Sequence, residues 1–182
     1  NPFWIHIGLL PEMRESEPLR GEPEEVSREL PLVINGRIMP GDVDRFTFHA
    51  KQGTRLVIDA GARDVIPYLA DAVPGWFQAV LTLHDSSGKK VASADSFHFR
   101  QDPAILYEVP RDDQYTVTIR DSLFRGREDF VYRMSVGELP FLTSIFPLGA
   151  RIDSDIEIQL DGWNLSQTTI QLKTGTRRSY RP

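Results

Sequence analysis

The sequence predicts an all-β protein, built as an antiparallel β-sandwich or jelly roll. Short segments of alternating apolar and polar residues recur along most of the chain, turn signals separate them, and hardly any segment has helical periodicity. The 13 glycines and 13 prolines among 182 residues fit many turns between short strands. Because each such sheet has one apolar face, two sheets packed face to face are the expected arrangement.

The strands follow a stretch that is predicted to be a linker. Residues 10–25 are rich in Pro and Glu and have no periodicity, which is typical of a connecting segment. Eight alternating segments come next, and we predict strands at residues 32–38, 45–50, 55–60, 79–84, 90–93, 105–109, 115–119 and 130–136. Pro40-Gly41-Asp42 predicts a tight turn between the first two.

The pattern changes after Pro140. Residues 141–149 predict a new strand and turn, residues 156–160 alternate again, and residues 169–172 begin another strand. This is the front of a second β domain, with too few strands to close a sandwich of its own. At the other end, residues 3–7 alternate and predict a single strand.

The composition excludes several classes of function. The net charge of −5 disfavours nucleic acid as a partner, because phosphate binding needs a concentrated basic face. The absence of cysteine excludes disulfides, thiolate metal sites and cysteine nucleophiles. No apolar run approaches the ~20 residues that span a bilayer, so no membrane insertion is expected. No His-x-x-x-His, Gly-x-Ser-x-Gly or phosphate loop is present, so we do not expect an enzyme.

Several blocks of this pattern occur together in one known domain. They are Glu15-Ser16-Glu17-Pro18, Val33-Ile34-Asn35-Gly36-Arg37-Ile38, Gly41-Asp42-Val43-Asp44-Arg45-Phe46, residues 80–89, residues 115–121 and Tyr132-Arg133-Met134. In their order and spacing these blocks make residues 14–136 resemble the bacterial pre-peptidase C-terminal domain. That domain is a β-sandwich attached to secreted proteases and other large exported proteins.

The C-terminal residues resemble a second family. Thr143-Ser144-Ile145-Phe146-Pro147 and Gly162-Trp163-Asn164-Leu165 look like the start of an immunoglobulin-like IPT/TIG domain. The two resemblances imply three parts: residues 1–12 as the last strand of a preceding Ig-like domain, residues 13–139 as the sandwich, and residues 140–182 as an incomplete IPT/TIG segment. They also imply a larger exported bacterial protein and an extracytoplasmic location.

The first resemblance implies a calcium site. Relatives in bacterial collagenases bind calcium through a Glu-x-Glu-x-Asn-Asp motif and through aspartates at the start of a strand. Glu15 and Glu17 match the two glutamates, and Asp42 and Asp44 match the strand aspartates. Closely spaced carboxylates suit Ca²⁺, which takes about six to eight oxygen ligands.

The motif departs from this pattern at two positions. Leu19 and Arg20 stand where the Asn and Asp ligands belong, so two oxygen ligands are lost and a cation is gained. The alternative is that Asp42 and Asp44 accept hydrogen bonds from backbone N–H groups at the turn. Calcium is the one cofactor that the sequence suggests.

Aromatic residues in the two irregular loops suggest a ligand surface. Trp76, Phe77, Phe97 and Phe99 would present flat apolar area on which a sugar or a proline-rich chain could stack. The alternative is that Trp76 and Phe77 close one end of the sandwich as core residues.

We therefore expect a non-catalytic accessory β-sandwich module that serves as a spacer, an adhesive unit or a domain that holds substrate near a catalytic domain. The alternative is a specific carbohydrate- or protein-binding domain with a calcium-stabilised site. The expected partners are neighbouring domains of the same polypeptide and a polysaccharide or extracellular protein.

Overall fold

The structure is a computed structural model that describes residues 6–16, 22–26, 28–63, 65 and 77–175. The described residues form β-strands and no helix, so the predicted all-β class is confirmed. The chain divides into two compact units, Asn1–Glu138 and Leu139–Pro182.

The first unit contains ten strands. They are β1 (Glu12–Arg14), β2 (Glu24–Glu25), β3 (Leu32–Arg37), β4 (Asp44–Ala50), β5 (Arg55–Gly61), β6 (Ala79–His84), β7 (Lys90–Ala94), β8 (Ala104–Glu108), β9 (Asp113–Asp121) and β10 (Val131–Gly137). One five-stranded sheet has the order β1-β3-β10-β5-β8, and the other has the order β2-β4-β9-β6-β7. Apart from β1 and β2, all neighbouring strands within these sheets are antiparallel.

The core lies between these two sheets. One sheet contributes Leu32, Ile58 and Met134, and the other contributes Phe46 and Val117, each with a side chain that is 0% exposed. Apolar residues at alternate positions on each strand therefore face the opposite sheet, as a two-layer sandwich requires. The eight strands predicted between residues 32 and 136 are all present.

The predicted linker is partly structured. Residues 12–14 pair in parallel with β3, and residues 24–25 pair in parallel with β4. These short strands cover the outer edges of the two sheets, and backbone pairing at an edge needs no alternating pattern. The prediction of a plain linker was therefore wrong for these five residues.

The turn between β3 and β4 has the predicted chemistry. The Asp42 N–H donates to the Met39 carbonyl oxygen at 3.0 Å, and Gly41 has a φ of 81°. Pro at the second position and a positive φ at the third are typical of a type II turn. Gly126 packs against it, because an added Cβ there would lie 2.0 Å from the Met39 carbonyl carbon.

The second unit is a three-stranded antiparallel sheet. Its strands are β11 (Phe141–Phe146), β12 (Asp155–Trp163) and β13 (Thr169–Lys173), in the order β11-β12-β13. The register pairs Ile158 with Ile170 and Leu160 with Ile145, which gives the sheet one apolar face. These are the strands expected at the C-terminus, and their assignment to an IPT/TIG domain stays a prediction.

Two expectations concern other parts of the chain. The strand predicted at residues 3–7 lies mostly outside the described residues, and His6 and Ile7 are not in a strand. Among the described residues, no helix is long and apolar enough to span a membrane.

Candidate functional site

Two acids and a tyrosine meet at one corner of the sandwich. Glu15 follows the end of β1, Asp44 begins β4, and Tyr132 lies on β10; their exposed fractions are 8%, 0% and 1%. The Tyr132 hydroxyl lies 2.6 Å from Asp44 Oδ2 and 3.1 Å from Glu15 Oε2. The other Glu15 oxygen accepts a hydrogen bond from the Arg37 backbone N–H at 2.6 Å.

Gly36 leaves the space in which the Glu15 and Tyr132 side chains come into contact. A Cβ added to Gly36 would lie 2.2 Å from the Tyr132 hydroxyl oxygen and 2.5 Å from Glu15 Oε2. Such distances are far inside van der Waals contact, so any larger residue would push the tyrosine and the glutamate apart. The absence of a side chain on β3 therefore creates the space for the cluster.

The cluster has more acceptors than donors. The Tyr132 hydroxyl has a single hydrogen to donate, and Asp44 Oδ1 is buried with no donor among the described residues. Burial raises the pKa of Asp44 to about 9, and the neighbouring Glu15 carboxyl adds to the increase, while the Tyr132 hydrogen bond opposes it. At neutral pH Asp44 is therefore protonated, which relieves the repulsion between the two carboxyl groups.

The four predicted calcium ligands differ in where they lie. Glu15 and Asp44 come together, whereas the Asp42 side chain turns to its own backbone and accepts from the Val43 N–H at 2.9 Å. Glu17 lies outside the described residues. Among the described residues, no three acidic or histidine side chains form a group that could hold a metal ion. Glu15 and Asp44 nevertheless fit calcium in their oxygen chemistry, and the buried Asp44 Oδ1 is an acceptor that a cation would satisfy.

A second buried acid organises the loop after β9. Asp121 is 0% exposed, and its carboxylate accepts from the backbone N–H groups of Gln78, Leu123 and Arg125 at 2.9–3.1 Å. The Arg125 guanidinium adds two hydrogen bonds of 3.0 Å. Burial alone would raise the pKa of Asp121, but these hydrogen bonds outweigh it and hold the pKa below its ordinary value.

The loop between β7 and β8 ends in an exposed aromatic tip. Phe97 and Arg100 pair through two backbone hydrogen bonds of 2.9 Å, so His98 and Phe99 form the tip. His98 has a φ of 54°, and the Phe99 side chain is fully exposed. Arg100 forms an ion pair with Asp59, which attaches the tip to β5.

The four predicted aromatic ligand residues do not share one surface. Phe77 is 0% exposed and stacks on Phe130 with 5.3 Å between ring centroids, so it belongs to the core, as the alternative interpretation holds. Phe97 is half-buried against His98, and Phe99 is exposed. Trp76 lies outside the described residues.

An open groove of about 820 Å³ lies against β1, β3 and β10. Its lining includes three arginines, Arg14, Arg37 and Arg133, together with Asn35 and Tyr132. Glu15 also lines it, so the groove adjoins the acidic corner and combines three arginines with one acid.

The sequence interpretation did not single out Tyr132 or Asp121. Tyr132 falls within the strand predicted at residues 130–136, and a buried tyrosine needs a partner for its hydroxyl group. That requirement is a usable signal, because a tyrosine in an inward strand position indicates a polar group in the core. Asp121 closes a strand before a charged loop, and nothing in its local pattern distinguishes it from its neighbours.

Comparisons with known proteins find matches among solved structures. No family model matches the sequence, and no curated protein matches it. The pre-peptidase C-terminal domain of a collagenase from Bacillus anthracis is similar with 15% identity and a TM-score of 0.45, over 63% of this chain and 96% of that chain. A periplasmic inhibitor of g-type lysozyme from Aeromonas hydrophila is similar with 11% identity and a TM-score of 0.40, over 70% of this chain and 95% of that chain. The first of these structures is of the domain type that residues 14–136 resemble.

Proposed function

We propose that this chain is a non-catalytic accessory β-sandwich module of a larger exported bacterial protein. It acts outside the cytoplasm as a spacer, as an adhesive unit, or as a domain that keeps substrate near a catalytic domain. Its partners are neighbouring domains of the same polypeptide and an extracellular polysaccharide or protein.

The observation that carries this proposal is that two buried acids, Asp121 and Asp102, accept hydrogen bonds from the fold itself. Asp121 accepts from the loop after β9 and from the Gln78 backbone N–H before β6. Asp102, which is 2% exposed, accepts from the backbone N–H groups of Ala62 and Arg63 at 2.9 Å. Each of these carboxylates serves the fold. A catalytic carboxylate needs an open side toward substrate, so this arrangement supports an architectural role.

Incubation with substrates and polymers tests the proposal. The purified chain should release no product from protein and polysaccharide substrates beyond the rate of a heat-denatured control. Product release that is abolished by one point substitution would overturn the non-catalytic assignment. Sedimentation with insoluble cellulose, chitin and fibrillar protein separates the roles: an adhesive unit pellets with one of them, and a spacer stays in solution.

The adhesive role has its own control. Phe99 is the fully exposed aromatic of the tip, so Phe99→Ala should release an adhesive module from its polymer. Phe124→Ala removes an aromatic side chain that is 51% exposed in another loop and serves as the matched variant. Retention that survives Phe99→Ala would exclude the aromatic tip as the binding surface.

The second candidate is a binding domain whose structure is stabilised by calcium. The buried Asp44 Oδ1, which lacks a donor among the described residues, favours this candidate. Glu15 and Asp44 would hold the ion, and Glu17 belongs to the same predicted set. The bound ion would join β4 to the segment after β1 and thereby stabilise one corner of the sandwich.

Calorimetric titration and thermal unfolding test the calcium candidate. Millimolar Ca²⁺ should release heat and raise the Tm of the chain, and both effects should disappear in a Glu15→Gln/Asp44→Asn variant. Asp95→Asn, which changes an exposed acid in another loop, should leave them intact. No heat and no change in Tm at millimolar Ca²⁺ would reject this candidate and leave the accessory module unaffected.

A further inference from the structure

Arginines are concentrated on the outer face of the first sheet. Arg14 on β1 and Arg133 on β10 are both register partners of Asn35 on β3, so the three residues lie side by side on adjacent strands. Arg37 lies two residues beyond Asn35 on β3 and therefore shares the same face. With strands ~4.8 Å apart and a rise of ~3.3 Å per residue, the Cα atoms of Arg14 and Arg37 are about 8 Å apart.

One of these arginines already has an acidic partner. Arg133 donates to both carboxylate oxygens of Glu12, at 2.7 and 3.1 Å, and to Asn35 Oδ1 at 2.8 Å. Asn35 in turn donates to Glu12 at 3.0 Å. The hydrogen bonds from Arg133 and Asn35 lower the pKa of Glu12, so this acid is ionised at neutral pH and is engaged in the network.

Arg14 and Arg37 are outside this network. Neither guanidinium has a hydrogen bond or an ion pair with any residue in the part of the chain that the structure describes. Arg14 is exposed and Arg37 is half-buried, and both line the groove beside β3. Two cations on neighbouring strands repel each other, and among the described residues no acid forms an ion pair with either of them.

An oxyanion bound between the two guanidinium groups would replace their mutual repulsion with attraction to the ligand. A guanidinium group presents a planar set of donors that matches carboxylate, sulfate and phosphate. Two arginine side chains whose Cα atoms are about 8 Å apart are long enough to reach one such group between them. The groove of about 820 Å³ is in the range that holds a ligand much larger than one ion. The chain as a whole has a net charge of −5 and repels polyanions, so attraction must come from a local site.

We infer that the groove between β1, β3 and β10 is a binding site for an anionic ligand, whose carboxylate or sulfate group is held by Arg14 and Arg37. The site is separate from the aromatic tip and adjoins the Glu15–Asp44 pair, since Glu15 also lines the groove. It goes beyond the accessory-module proposal and does not depend on it, because an anion site is compatible with either a spacer or an enzyme.

Fluorescence anisotropy with labelled saccharides tests the inference on the full chain. The probes are a heparin hexasaccharide, which carries sulfate, and an oligogalacturonate, which carries carboxylate, with a neutral dextran oligomer as the uncharged comparison. At low ionic strength we expect at least one acidic probe to bind and the neutral one not to bind. The acidic probe that binds identifies which oxyanion the groove prefers.

Arginine variants assign any binding to the groove. Arg14→Gln/Arg37→Gln should weaken binding about tenfold or more, because two charge-assisted hydrogen bonds are lost. Arg28→Gln/Arg151→Gln removes the same charge from two exposed arginines elsewhere and should leave affinity unchanged. The amide NMR signals of Asn35, Gly36 and Val131 should shift on titration of the unsubstituted chain.

Three results would overturn the inference. The first is no binding of either acidic probe. The second is equal weakening by both double variants, which would mean attraction by general charge. The third is binding that persists in Arg14→Gln/Arg37→Gln while the melting temperature of that variant is unchanged, which would place the ligand elsewhere.

Discussion

Two buried aspartates, Asp121 and Asp44, occupy opposite electrostatic environments in the same sandwich. Asp121 accepts five hydrogen bonds, two of them from the guanidinium group of Arg125. Asp44 accepts a hydrogen bond from Tyr132, and its second oxygen has no donor among the described residues. As a result, the pKa of Asp121 is lowered and that of Asp44 is raised to about 9.

The backbone around each aspartate explains the difference. Asp121 ends β9, and the loop that follows is free to turn its N–H groups back toward the carboxylate. Asp44 is the first residue of β4 and pairs with Ile119 of β9, so the neighbouring backbone groups already belong to the sheet ladder. The backbone N–H groups of a loop can therefore donate hydrogen bonds to a buried carboxylate. A buried acid on a strand depends on neighbouring side chains for its hydrogen bonds, because the strand's N–H groups are already paired.

Removal of the Asp121 charge should have the largest effect on stability. Asp121→Asn places an amide group among donors and leaves the Arg125 guanidinium without its carboxylate, so we expect a loss of about 3 kcal/mol in the free energy of unfolding. Asp129→Asn disrupts an exposed pair with Arg127 and should cost less than about 1 kcal/mol. Chemical denaturation measures both. Equal losses would show that the buried loop network contributes no special stability.

Removal of the shared hydroxyl group should have an intermediate effect. Tyr132→Phe removes the single hydroxyl hydrogen that Asp44 Oδ2 and Glu15 Oε2 share, and we expect a loss of about 1–3 kcal/mol in the free energy of unfolding. A double-mutant cycle with Asp44→Asn separates the hydroxyl contact from general packing. Additive losses would mean that the tyrosine and the aspartate do not interact in solution.

Replacement of Asp44 by asparagine should have the smallest effect on stability at neutral pH. Asp44→Asn keeps the volume and an oxygen acceptor for Tyr132, and it removes a group that must stay protonated in the folded state. We therefore expect a change within about 1 kcal/mol in the free energy of unfolding at neutral pH. Denaturant titrations of the two proteins in the presence of a calcium chelator measure this change, and a loss as large as that of Asp121→Asn would contradict the contrast between the two sites.

The same variant should change the pH dependence of stability. The pKa of Asp44 rises from 3.8 in the unfolded chain to about 9 in the fold, so the folded state retains a proton that the unfolded state releases. The stability from this group is complete below the unfolded value and is lost as the pH increases toward the folded value. Unfolding measured across this range, with a chelator present, should show a shallower decline for Asp44→Asn. Asp42→Asn, which leaves Asp44 in place, should keep the original slope.

The strands were the most predictable part of the protein. Phe46 and Phe48 alternate with polar neighbours, and each is at most 4% exposed, because alternation on a strand directly selects the buried face. The short strands β1 and β2 could not be predicted in this way. They form by pairing at a sheet edge that the rest of the chain builds, and three or two residues carry too little pattern to reveal it.

The candidate site was only partly predictable. A family resemblance drew attention to Glu15 and Asp44, and the structure brings these two acids together at Tyr132. Asp42 has the same residue type and nearly the same position in the sequence, yet it faces its own backbone. Asp42 lies in the turn and Asp44 begins β4 two residues later, so the point at which the strand starts decides which carboxylate faces the core. A pattern of acids does not contain that information.

The sequence by itself determined that this chain forms short strands with one apolar face each, and that two layers must cover those faces. Alternation and turn chemistry are local properties, so they can be read from neighbouring residues. Only the tertiary structure decided that Glu15 and Tyr132, which are 117 residues apart, share a buried hydrogen bond with Asp44 beside them. It also decided that Arg14 and Arg37 lie near each other on one sheet face, with no ion pair to either among the described residues. Both outcomes depend on which strands become neighbours, and strand order is a property of the whole fold.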